Sequence, residues 1–292
     1  MTDSPLTVPV CYNHPSKETY VRCTRCDRPI CPDCMNEASV GHQCPDCVKE
    51  GRRTQRPART AFGGSAAGRS GTVTRTLIGI NVAAMILSAI TGGLGAIAGG
   101  GWGGLLGQST PLLEWGEVYG YGVAQGEWWR LFTAMFLHLG VLHLLVNMYA
   151  LWILGRELEA VLGRLRFVGL YLLAGLGGNV AAYVLGAPNQ STAGASTAVF
   201  GLMSAIFVIL KRLNLSVAPI LPVIVINVIF SFAVANISWQ GHIGGLVVGA
   251  VVAVILAYAP SKNRNLIQGV GCALVLVALL TLTVMRTAAL LG

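Results

Sequence analysis

WQGHIGGLVVGAVVAVILAY, residues 239–258, contains no Asp, Glu, Lys or Arg. About 20 apolar residues suffice to cross the roughly 30 Å hydrocarbon core of a bilayer, so this run predicts a transmembrane helix. Its one side chain that ordinarily titrates near neutral pH, His242, lies near its start. Ionisable groups within a span are costly and mark functional positions by default. Gly241, Gly245 and Gly249 recur every fourth residue and share one helix face. Such a face lets a second helix backbone approach closely. The stretch therefore predicts a helix that presents an imidazole to a tightly packed neighbour.

Further apolar runs cover 76–98, 141–159, 166–186, 196–210, 218–236 and 266–288. The fourth run is short for a lipid-facing helix but tolerable among other helices. The composition agrees. The 292 residues are 54% hydrophobic and 11% charged, with a mean hydropathy of +0.65, whereas soluble domains carry about 25% charged residues. All twelve carboxylates lie at or before Glu159, and eleven of the twenty Lys and Arg fall in the first 75 residues. This predicts a polar N-terminal piece joined to a membrane-embedded body. The net charge of +8 does not point to nucleic acid, because the cations sit in short loops between apolar runs.

The first thirty residues lack the apolar core of a secretory signal, so no cleavage and a cytoplasmic N-terminus are expected. With that orientation, eighteen of the twenty Lys and Arg lie inside and only Arg130 and Arg286 outside, as the positive-inside rule requires. The long external segment 99–140 holds Trp102, Trp115, Trp128, Trp129, Tyr119 and Tyr121. Aromatics of this density fit the membrane–water boundary and predict a structured, partly inserted loop.

Polar residues within the runs are few. His143 and Asn147 lie near the start of the second, Ser196 at the start of the fourth, and His242 near the start of the sixth. These even-numbered spans all run from outside to inside, so His143, Ser196 and His242 lie at similar depth below the outer surface. His143 and Asn147, four apart, share a helix face, and both donate hydrogen bonds as an oxyanion site requires. Gly194, Ala195, Ala198 and Gly201 surround Ser196. Small residues there and on 239–258 would bring its hydroxyl to the imidazole. No Asp follows Asp46, so a Ser-His-Asp triad is unavailable in the membrane body. The same shortage argues against aspartic proteolysis, and no H-E-x-x-H zinc motif occurs. A Ser196–His242 dyad is the hydrolytic chemistry left.

Here the chain resembles the rhomboid family of intramembrane serine proteases. EWWR at 127–130, the H-x-x-x-N of 143–147, GAS at 194–196 and GHIGG at 241–245 carry the resemblance, in family order, over about 75–260. The resemblance implies that Ser196 is the nucleophile and His242 the general base. It implies an oxyanion held by His143, Asn147 and the Ser196 backbone N–H. Trp129 and Arg130 would belong to the inserted external loop, the fifth span would gate substrate entry, and the seventh would be an extra C-terminal helix. The family usually has Gly directly after the nucleophile, and this chain has Thr197, which would crowd the facing helix or offer a competing hydroxyl. The implied activity is cleavage of transmembrane proteins near the outer face, without a catalytic cofactor. Two rivals stand beside it. One is a catalytically silent relative that binds transmembrane helices. The other is a small-molecule transporter, which would need polar residues on both sides of the midplane.

The N-terminal piece carries C11-x-x-H14, C23-x-x-C26, C31-x-x-C34 and C44-x-x-C47. Paired spacing with an odd cysteine count reads as metal binding, and eight ligands suit two tetrahedral zinc ions. The close spacing favours interleaving, first pair with third and second with fourth, with His42 as an alternative to Cys44. This part resembles a B-box-like or RING-like cross-braced zinc finger. It would bind a cytoplasmic protein partner or anchor the N-terminus.

The expectation is an all-α polytopic membrane protein. It comprises a zinc-binding domain at 1–49, a basic linker at 50–74, a six-helix rhomboid-like core at 75–262 and one C-terminal helix at 263–292. The expected setting is a bacterial plasma membrane, with the lipid bilayer and transmembrane substrates as partners.

Overall fold

The computed structural model describes residues 8–55, 59–65, 71–98, 108–234 and 237–292. The expectations for Trp102 and for parts of the linker fall outside them. The chain divides into two compact units, Met1–Pro57 and Ala58–Gly292.

The first unit pairs β1 (Asn36–Glu37) antiparallel with β2 (His42–Gln43) and ends in α1 (Pro45–Thr54). Its buried centre is mostly sulfur: Cys11, Cys23, Cys31, Cys34, Cys44 and Cys47 gather around Ile30. The Cys44 sulfur caps α1 by accepting from the Cys47 N–H, and Pro45 occupies the first helical turn. The helix continues past the expected boundary at 49. Arg52 and Arg53 lie in its last turn, where positive charge complements the helix dipole.

The second unit is built from α2 (Thr72–Gly92), α3 (Val141–Leu162), α4 (Arg164–Leu185), α5 (Ser196–Arg212), α6 (Ile220–Ala233), α7 (Trp239–Tyr258) and α8 (Arg264–Leu291). These correspond in order to the seven apolar runs. Among the described residues, five helical segments are long and apolar enough to cross a membrane: α2, α3, α4, α7 and the stretch containing α8. The fourth and fifth runs form shorter helices of 17 and 14 residues. At 1.5 Å per residue α5 spans only about 26 Å. It sits in the middle of the bundle, packed most extensively against α7 and α4, and so need not match the bilayer thickness. Val146, Tyr149, Ile153, Val247, Val251 and Leu274 point outward, as lipid-facing side chains do.

Helix α2 starts at Thr72, four residues before the expected 76, because a distant partner extends it. The buried carboxylate of Glu159 on α3 accepts from the Val73 and Thr74 amides at 3.0 and 2.9 Å and from the Thr74 hydroxyl at 2.9 Å. An anion at a helix N-terminus satisfies orphan N–H groups and opposes the dipole.

The external segment is structured where described, with short helices at Pro111–Gly116, Gly120–Ala124 and Arg130–Thr133. Buried Arg130 gathers it, donating to Glu127 at 2.5 Å and to the Glu114 and Glu117 carbonyls. Trp115 stacks on Trp129 at 5.8 Å. The segment is fastened to the bundle by Asn179 of α4, which donates to the Leu131 carbonyl. It is also held by β3 (Val118–Tyr119), antiparallel to β4 (Ser191–Thr192) just before α5.

Candidate active site and metal-binding groups

Strand β4 leads directly into Gly194-Ala195-Ser196, and the external segment pins this approach. The Gly194 N–H donates to the Ala134 carbonyl at 2.9 Å, and the Ala195 N–H to His138 Nε2 at 3.4 Å. Gly194 has φ +144°, a backbone region that side chains rarely enter. A Cβ added there would lie 2.8 Å from His143 Cε1 and 3.1 Å from Nε2. Only glycine lets the loop pass the His143 ring.

Ser196 is the first residue of α5. Its N–H therefore belongs to the turn whose amides have no intrahelical acceptor, where partial positive charge favours an anion. The hydroxyl lies 2.8 Å from His242 Nε2. The imidazole stacks on Phe200 at 4.2 Å and 15°, one helical turn after Ser196. His242 Nδ1 is 2.7 Å from the Ser231 hydroxyl of α6.

Three helices reach this point because glycines let them close up. A Cβ on Gly245 of α7 would meet the Thr197 carbonyl at 2.0 Å, and one on Gly249 would meet Gly201 Cα at 2.3 Å. Thr197 itself is buried. It lies against Gly178 of α4, where a Cβ would fall 2.5 Å from Thr197 Cβ, and against Gly241 of α7. The residue expected to crowd the helix contact is thus accommodated by a glycine on each neighbour. Its hydroxyl has no partner among the described residues, so it does not compete for His242.

His143, Asn147, Ser196 and His242 line a single pocket, together with Asn227, Phe230 and Ser231 of α6. Asn147 donates to the His143 carbonyl at 2.9 Å. The buried His143 Nδ1 has no partner among the described residues. His138, edge-on to His143 at 5.1 Å, supports the loop rather than lining the pocket. The structure therefore brings together all four residues expected for chemistry. It adds Phe200 and Ser231, which sequence reasoning missed. Ser231 carried a signal, being with Asn227 one of two polar side chains in an apolar helix, a class of residue that warrants inspection.

The profile of the Rhomboid domain matches residues 125–259, which contain the whole pocket. The chain is 38% identical over 133 residues to YdcA of Bacillus subtilis (strain 168), covering 44% of this chain and 67% of that protein. The chain belongs to the rhomboid family. Rhomboid protease GluP of the same strain is 39% identical over 170 residues, 56% of this chain and 33% of GluP. RHOMBOID-like protein 5 of Arabidopsis thaliana is 32% identical over 165 residues, 53% of each chain. The match spans about a third of GluP, two thirds of YdcA and half of the plant relative. With the apolar helices, rhomboid membership makes this a multi-pass membrane protein.

The first unit holds two groups that could bind a metal ion: Cys11, His14, Cys31 and Cys34, and Cys23, Cys26, Cys44 and Cys47. Within each group the ligand atoms lie within 4.8 Å of one another. The pairing is interleaved, and the second group takes Cys44 rather than His42. His14 Nδ1 is 3.3 Å from the sulfurs of both Cys31 and Cys34. Arg28 donates to the Cys26 and Cys44 sulfurs at 3.3 and 3.5 Å, which favours thiolates. Burial opposes ionisation of Cys11 and Cys23, but hydrogen bonds from surrounding backbone groups outweigh it and draw both down to about 6. Burial, reinforced by the neighbouring thiols, pushes Cys34 up to about 11 and Cys47 to about 12. Thiols bind metals as thiolates, so metal binding at either group would release protons.

Proposed function

We propose that this rhomboid is an intramembrane serine endopeptidase that cuts transmembrane proteins near the outer membrane face by a Ser196–His242 dyad. The observation that carries the proposal is the 2.8 Å contact between Ser196 Oγ and His242 Nε2, within hydrogen-bonding reach for proton transfer. In the reaction, Ser196 Oγ attacks the scissile carbonyl carbon as its proton passes to His242 Nε2. The oxyanion is met by the Ser196 N–H, His143 and Asn147. His242 then gives the proton to the leaving amine, and water hydrolyses the acyl-enzyme by the same exchange in reverse. Preorganised donors in a water-poor site stabilise such an intermediate far better than they would in water.

The positive-inside distribution supports a cytoplasmic N-terminus; with that orientation, in the bacterial plasma membrane we propose, the pocket would lie near the outer face. The silent-relative reading loses its support, since Thr197 packs against Gly178 and Gly241 rather than disturbing Ser196. The test is to reconstitute the full chain with a single-span reporter and map the products by mass spectrometry. Cleavage in the outer third of the span is expected. An intact reporter, or a cut at the cytoplasmic end, would contradict the proposal.

Gly194→Ala tests the oxyanion side of the pocket. The added methyl must displace the His143 ring, and misplacement by about 1 Å costs on the order of 100-fold in rate. We expect that loss of reporter cleavage while the helical bundle, followed by thermal stability, loses only about 1–3 kcal/mol.

The donor sets, three thiols with one imidazole in the first group and four thiols in the second, suit tetrahedral zinc. We assign zinc a structural role in the first unit, where it would support an anchor or a partner-binding surface. Elemental analysis should find two zinc ions per chain, one for each group. Cys34→Ser should weaken zinc binding at the first group alone. Because the ligands must deprotonate, acidification should release zinc and unfold the unit. A unit that stays folded in excess chelator would refute the assignment.

A further inference from the structure

We infer that Ser231, on α6, is a positioning residue that holds His242 in the tautomer able to act as base, so that the seating of α6 governs the competence of the dyad. The inference rests on the Ser–His mechanism proposed above.

It follows from counting protons. The Ser231 hydroxyl donates to the Asn227 carbonyl, one helical turn earlier, at 2.7 Å. A hydroxyl has one proton to give. With that proton committed, the 2.7 Å contact with His242 Nδ1 is assigned to an Nδ1–H that donates to Ser231 Oγ. In a neutral imidazole the other nitrogen is then bare. That nitrogen, Nε2, is the one facing the Ser196 hydroxyl. The reverse chain, Nε2–H to Ser196 Oγ and Ser231 O–H to Nδ1, would leave the 2.7 Å contact of Ser231 with the Asn227 carbonyl without a proton. When Nε2 takes the Ser196 proton, the ring becomes a cation, and the Ser231 lone pair stabilises it through the shared Nδ1–H. No carboxylate lies later in the chain than Glu159. A neutral hydroxyl thus occupies the place of a triad's third group, orienting the ring without adding charge to the membrane interior.

The position of this hydroxyl matters. Helix α6 buries only Ile220 and Ser231 of its fourteen residues. Ile226, Ile229 and Phe232 are exposed on it. A helix so lightly packed moves at small cost, and its displacement would withdraw Ser231 from Nδ1. The imidazole would lose its preference between tautomers at the moment the pocket opened beside α6. Reseating α6 after substrate entry would restore the base.

Two measurements test this. The first needs no variant: 15N spectra of the histidine-labelled chain at neutral pH should show His242 protonated at Nδ1 and bare at Nε2. The opposite tautomer would overturn the inference. The second is reporter kinetics in proteoliposomes for Ser231→Ala, Ser231→Thr and Ser196→Ala. Ser231→Ala should lower kcat by about 10- to 100-fold with KM unchanged, the size expected for one hydrogen bond to a group that becomes charged. Ser231→Thr, which keeps the hydroxyl, should recover most of the rate. Wild-type kcat in Ser231→Ala, or a change in KM alone, would overturn the positioning role while an inactive Ser196→Ala still upheld the dyad. An active Ser196→Ala would instead overturn the dyad itself.

Discussion

Ser196→Ala is expected to abolish cleavage of the single-span reporter, by roughly 10⁴- to 10⁶-fold, with expression, zinc content and thermal stability unchanged. The magnitude is that of removing the nucleophile from a serine hydrolase whose other parts remain. The stability expectation follows from the surroundings. Ser196 is only partly buried, at the mouth of a pocket, and the loop before it is held by Gly194 and Ala195 through their own N–H groups. Removing one oxygen leaves no backbone group unpaired. The rate of reporter cleavage in proteoliposomes measures the effect. Retention of more than about a hundredth of the wild-type rate would mean that another group attacks the peptide bond.

The second large effect concerns the glycines that let α5 and α7 meet. A Cβ on Gly245 would fall 2.0 Å from the Thr197 carbonyl, and one on Gly249 would fall 2.3 and 2.4 Å from Gly201 Cα and O. The obstacles are backbone atoms, so no rotamer change relieves them and the helices must separate. Overpacking ordinarily costs about 1–3 kcal/mol, and here the shift also carries His242 away from Ser196. Gly245→Ala and Gly249→Ala should each destabilise by more than about 3 kcal/mol and lower cleavage by at least about 100-fold. Gly169→Ala on α4 is the matched control. Nothing lies within 4 Å of its added methyl, and alanine is the better helix former by about 1 kcal/mol. It should therefore keep activity and gain slightly in stability. Reversible unfolding in mixed micelles, read beside reporter cleavage, separates these cases.

The helices that line the pocket were readable in the sequence because their signals are local. The glycine spacing around His242, the small residues around Ser196 and the four-residue step from His143 to Asn147 each lie within one helix, and charge placement sets their common direction. The fourth run ends within two residues of its expected boundary, 210 against Arg212. Features that depend on a second element were not readable. Helix α2 begins early because Glu159 on α3 caps it. Thr197 looks obstructive beside Ser196, and only the pairing with Gly178 shows where its methyl group goes. Cys44 and His42 compete on spacing alone, and the choice is made by folding, which turns the Cys44 sulfur into the cap of α1 and the neighbour of Cys26 at 3.7 Å. Ser231 is eleven residues from His242, on a helix whose rotation no local pattern sets. Its back-bond to Asn227 is what many serines in membrane helices do, so its role emerges only when α6 and α7 are seen together.

The proposal that Ser196 is a nucleophile activated by His242 is tested most directly by covalent labelling. The full chain, reconstituted in vesicles, is treated with a fluorophosphonate probe and its peptides are mapped by mass spectrometry. The account predicts one dominant adduct, on Ser196, that is lost in His242→Ala. Absence of any adduct, or equal labelling of Ser196 in His242→Ala, would contradict it.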